Sequence, residues 1–89
     1  MMRQRRHRHE VGVPTLLRIG PYRFYFYSRE HDPPHVHVES AERSAVFTFG
    51  PVGVMRAKGY TRRELGRLEE IVGRHEAEFL DRWHEYFDR

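Results

Sequence analysis

The sequence predicts an α+β domain: an antiparallel sheet of about four strands, arranged as two hairpins, with two C-terminal helices packed on one face. Three observations carry this. Aromatic and β-branched residues alternate with polar ones through the first fifty positions, Gly-Pro and short polar stretches interrupt the alternation, and an apolar period of 3.6 residues takes over after Tyr60.

The run "TLLRIGPYRFYFYS" holds two strand-like segments on either side of Gly20-Pro21 and reads as a hairpin. In its second segment Phe24 and Phe26 fall on one face, and Arg23, Tyr25 and Tyr27 on the other. Phenylalanine has no polar tip, so its face is assigned to the core. "PHVHVESAERSAVFTFG" reads as a second hairpin with a short polar connection around Ala41 to Arg43. Val36 and Val38 point inward with Ala45, Phe47 and Phe49, which turns His35, His37 and Glu39 outward.

Residues 50–59, with three Gly and one Pro, read as an irregular connection holding at most a short edge strand at Val52 to Met55. The helical region opens with a strong start signal. Thr61 and Glu64 have capping-box spacing, and Tyr60 and Leu65 occupy the positions of a hydrophobic staple. Leu65, Leu68, Ile71 and Val72 form the apolar stripe, which resumes at Phe79, Leu80, Trp83, Tyr86 and Phe87. One helix over 62–87 would be about 39 Å long, against a radius of gyration of about 12 Å for a chain of this size. A break near Gly73 to His75 is therefore expected. The spacing of Trp83 makes it a core anchor first.

At 89 residues the chain makes one domain, too small for a second core or a large buried cleft. There is no cysteine, which removes disulfides and thiolate metal sites together and fits a reducing cytoplasm. No apolar run is long enough to span a membrane, and no signal peptide is expected. The net charge of +3 lies in residues 1–12, where four Arg (3, 5, 6 and 8) face the single Glu10. Residues 1–12 are expected to be a basic flexible arm, dispensable for the fold, with a misassigned start ahead of Val13 as the alternative. Residues 13–89, with 12 basic and 12 acidic side chains, form the single domain.

"HDPPHVHVE", residues 31–39, concentrates the chemistry. It also carries a resemblance. With "VPTLLRIGPYRFYFYS", "FTFGPVGVMRAKGY" and "WHEYF", it resembles the small bacterial domain-of-unknown-function family 4160 over residues 13–88. The family's His-x-Pro-Pro-His-x-His-Val signature is matched by His31, Pro33, Pro34, His35, His37 and Val38, and its late Trp by Trp83. The resemblance implies a component of a toxin-antitoxin-like two-gene module, with a small protein from a neighbouring gene as partner.

The expected function is accordingly a small interaction module that binds a protein partner, RNA or DNA through its outer sheet face. That face comprises Arg23, Tyr25, Tyr27, His31, His35, His37 and Glu39, with aromatic and imidazole rings beside cations. Two alternatives belong to other classes. A metal-independent ribonuclease would use the catalytic residues His35 and His37 as base and acid, with Arg23 stabilising developing charge. A metal-binding domain would take His35 and His37 as ligands, completed by Asp32, Glu39 or His84. Only this last reading requires a cofactor, a divalent metal. The bland reading beside all three is that outward imidazoles stack on cross-strand aromatics.

Overall fold

The computed structural model describes residues 15–27 and 29–88; the proposed arm at 1–12 lies outside them. The chain forms strands β1 (Thr15–Ile19), β2 (Tyr22–Tyr25), β3 (His35–Ser40), β4 (Arg43–Thr48) and β5 (Gly53–Lys58), then helices α1 (Arg62–Arg74) and α2 (Glu76–Phe87). The strands make one antiparallel sheet in sequential order, a meander with β3 in the middle. No helix among the described residues is long and apolar enough to cross a membrane.

Both expected hairpins form. Gly20 turns the first with φ 56°, and Ala41 adopts φ 49° in the two-residue connection that sets Ser40 opposite Arg43. The strand count differs from expectation, because residues 53–58 pair with β4 from Thr48↔Gly53 to Ser44↔Lys58. The glycines and proline that suggested a loop sit at the ends of β5 rather than within it, and a register shift between Val46 and Phe47 absorbs one extra residue. Without β5, the open edge of β4 would leave its backbone groups unpaired.

Gly59 ends β5 at φ +90°, where an added Cβ would lie 2.7 Å from Cγ of Arg43. Arg43 needs that space, since its guanidinium reaches Glu64 at 2.8 Å and ties the second hairpin to the start of α1. The capping box is present in full. Thr61 Oγ1 accepts from the backbone N–H of Glu64 at 3.1 Å, and the Glu64 carboxylate accepts from the N–H of Thr61 at 2.8 Å. Those bonds and the Arg43 cation hold the Glu64 carboxyl below its ordinary range. The expected helix break falls at His75, whose N–H is donated to the carbonyls of Ile71 and Val72 while its own carbonyl accepts from Phe79 to open α2.

The core lies between the sheet and the helix pair. Phe24, Val36, Val38, Ala45 and Phe47 of the sheet, with Phe26 just after β2, meet Leu68 and Val72 of α1 and Phe79 and Trp83 of α2. Phe24 stacks on Phe79 with ring centroids 5.8 Å apart, and Phe26 meets Trp83 edge-on at 5.2 Å. Helix propensity alone would not hold two helices of 13 and 12 residues. Burial of this face does. In urea unfolding at neutral pH, Thr61→Ala is therefore expected to cost about 1 kcal/mol and Phe79→Ala about 3–5 kcal/mol.

Candidate functional site

On the face of β3 opposite the helices stand His35 and His37, which the alternation with Val36 and Val38 requires. Their surroundings differ from expectation. They are 9% and 8% exposed, and Tyr25 beside them only 5%, so this end of the outer face is covered rather than open. The cover comes from the β2–β3 loop. Tyr27 lays its ring edge on His37 at 4.5 Å, and Glu30 inserts its carboxylate between the two imidazoles. Tyr25, opposite His37 on β2, stacks against it with centroids 5.2 Å apart and planes 19° from parallel. The cross-strand stacking weighed from the sequence is thus present, and it occupies the ring faces that a base would need.

Glu30 is the residue that sequence reasoning missed. Its Oε1 lies 2.8 Å from His35 Nε2, and its Oε2 lies 2.8 Å from His37 Nε2 while accepting the Tyr27 backbone N–H at 2.8 Å. Burial acts to raise its pKa, but the Tyr27 N–H and the histidines outweigh it, so the carboxyl stays below its ordinary value of 4.5. His37 is held below 6.5, chiefly by burial; Glu30 opposes that shift, and His35 and Arg56 add to it. Burial also keeps the Tyr25 hydroxyl protonated, with Tyr27 and Glu39 adding to the effect.

His35 has its other ring nitrogen fixed. Nδ1 lies 2.9 Å from the Pro33 carbonyl, which can only accept, so Nδ1 carries a proton. In a neutral ring, Nε2 would then present a lone pair to an ionised carboxylate oxygen 2.8 Å away. Two acceptors at that distance hold together only through a proton or other cation shared between them, and backbone-anchored Nδ1–H is the arrangement that orients metal-binding histidines. Glu30, His35 and His37 each offer one ligand atom, all within 4.8 Å of one another.

The other sequence candidates lie elsewhere. Asp32 and His31 are exposed in the loop. Glu39 pairs with Arg23 at 2.9 Å, and His84 pairs with Asp88 on α2. None of the three residues considered as completing a metal site joins the cluster, because Glu39 is a further two residues along β3 and α2 covers the opposite face. Arg23 lies over the Tyr25 ring at 4.4 Å and donates from Nε to Thr15 Oγ1 at 2.8 Å. Trp83 touches the site from the core side, its ring 5.2 Å from His35. Its buried Nε1 has no hydrogen-bond partner among the described residues, so Trp83 is held by packing.

Fold and site together define a small meander sheet with a helix pair on one face and a loop-delivered carboxylate clamping two strand histidines on the other. The chain belongs to the family described as domain of unknown function DUF4160, whose model matches residues 22–84, a span that runs from β2 into α2 and takes in the whole cluster. No curated protein and no solved structure matches it.

Glu30 and His37 both bind protons less tightly in the folded chain than in the unfolded one, so stability rises with pH across their titrations. The His37 contribution is intact at pH 8 and erodes as the pH falls below 6.5, and that of Glu30 erodes below 4.5. In chelator, the melting temperature of the wild type should fall more steeply between pH 7 and 5 than that of His37→Gln; parallel curves would contradict this placement of His37.

Proposed function

We propose that this domain is a binding module built around a His/carboxylate metal centre, with Glu30, His35 and His37 as ligands to a divalent ion of the zinc type. The observation that carries the reading is the His35 ring, whose Nδ1–H is committed to Pro33 while Nε2 faces the Glu30 carboxylate at 2.8 Å. Two imidazoles and one carboxylate suit zinc, and three protein ligands leave a fourth position for water or a ligand. The contacts at 2.8 Å fit a proton in place, and tetrahedral zinc would open them to roughly 3.3 Å, a side-chain adjustment of about half an ångström. A ligating imidazole must present a bare nitrogen to the ion, so affinity should weaken in acid.

A metal-free acid–base role for His35 and His37 draws less support. Both Nε2 atoms face the same carboxylate, and Arg23 is engaged by Glu39 and Thr15. The role in a toxin-antitoxin-like pair, with a small neighbouring-gene protein as partner, rests on the resemblance drawn from the sequence, since the family's description assigns no function. Val54 and Met55, exposed on the edge strand β5, would supply apolar contact area for such a partner.

Zinc at a hundredfold excess over its Kd should stabilise the domain by about 2.7 kcal/mol, a rise in melting temperature of roughly 10–20 °C. Glu30→Gln and His35→Ala/His37→Ala should abolish the rise. Equal zinc uptake by the wild type and the double variant would assign the uptake to other histidines and leave a proton as the occupant of the clamp.

A further inference from the structure

We infer that the uncovered part of the outer sheet face binds the backbone of a single-stranded nucleic acid through Arg18, Arg56 and Lys58, a site that adjoins the histidine cluster but needs no metal. The register aligns side chains of one face in rows across the strands. One row runs Arg18, Arg23, Glu39, Ser44, Lys58 over all five strands, and the next runs Tyr25, His37, Val46, Arg56. From β1 to β5 the first row spans about 19 Å at the usual inter-strand spacing.

The charges in these rows do not balance. Glu39 is taken by Arg23 at 2.9 Å, and Glu30 is taken by the two histidines and the Tyr27 N–H. Arg18, Arg56 and Lys58 are exposed and have no ion-pair partner among the described residues. The whole of residues 13–89 carries as many acids as bases, so three unmatched cations on one face reflect an uneven distribution rather than overall basicity. Ser44, Ala45, Val46, Arg56, Ala57 and Lys58 line a shallow depression of about 160 Å³. It joins a hydroxyl donor to two cations, the chemistry that receives a phosphate.

The occupant follows from charge complementarity and from the rings that remain available. Tyr25 and His37 are stacked and buried, whereas Tyr27 stands at the end of the face with 47% of its surface exposed. Cations at both edges of the face and one half-exposed aromatic suit a strand held mainly by its phosphates, with one base on the open side of Tyr27. Such binding is tolerant of sequence and strongly dependent on salt. Among the described residues, no helix or protruding ribbon stands on this face to enter the grooves of a duplex.

The test is fluorescence anisotropy of the full-length protein with a labelled 12-nucleotide single-stranded RNA of mixed sequence, in chelator, from 50 to 200 mM salt. Each phosphate contact contributes about 0.7 to the slope of log K against log salt for single strands. Arg56→Gln/Lys58→Gln should lower the slope by about 1.4, so that the loss of affinity across this range is about sevenfold smaller than in the wild type. The arginines at 3, 5, 6 and 8 are common to both proteins and cancel in the difference. Arg62→Gln/Arg63→Gln, on the exposed start of α1, removes the same charge from the helix layer and should leave the slope unchanged. An equal change in both variants, no change in the sheet variant, or no RNA binding by the wild type would each overturn the inference. Because chelator is present throughout, none of these outcomes bears on the metal centre.

Discussion

Everything in this fold hangs on β3 being covered on both faces. It is the middle strand of five, and it alternates valine with histidine. One face must meet the helices and the other must meet something else, because a strand's side chains change sides at every residue. Val36 and Val38 occupy the helix side at full burial. The opposite side carries imidazoles, so the cover that lies on it has to supply hydrogen-bonding groups as well as bulk.

That requirement accounts for the β2–β3 loop. A purely apolar lid would leave two ring nitrogens unsatisfied, each at a cost of about 1–3 kcal/mol. Glu30 meets both, and Tyr27 supplies its ring to His37 and its N–H to Glu30. A carboxylate this enclosed is tolerated because three donors or cations surround it. The cluster thereby couples its parts: removing one member strands the others in a poorly solvated place. Pro33 contributes through its backbone, fixing which nitrogen of His35 turns toward the carboxylate. Pro33 thus serves the site as well as the loop.

The outer surface divides into two regions with different chemistry. At the β2–β3 end lies the closed cluster, where rings stack and the carboxylate is occupied. Toward β5 the side chains are short or cationic, and β4 and β5 present Ser44, Arg56 and Lys58 to solvent. Tyr27 stands between them, packed on His37 on one side and open on the other. The helix layer behind the sheet is tied to the same frame by the Arg43–Glu64 ion pair and by Trp83 against His35.

What the sequence determined by itself was everything governed by short-range period and chemistry. The two hairpins, the core face of Phe24, Val36, Val38 and Phe47, the capping box at Thr61 and the break at His75 follow from spacings of two to four residues, and local sterics enforce those directly. The side on which His35 and His37 stand was legible for the same reason. Tertiary structure alone decided the rest. β5 forms because an open edge of β4 is available to pair, a fact about a neighbour rather than about residues 53–58, whose flanking glycines suggested a loop. Glu30 sits in a segment without periodicity, five residues before His35, and its role depends on how the loop folds back. Its one local signal was a lone carboxylate just ahead of the histidine-proline run. Burial of the outer face was illegible too, because alternation assigns a side chain to a face but the cover on that face is contributed by another part of the chain.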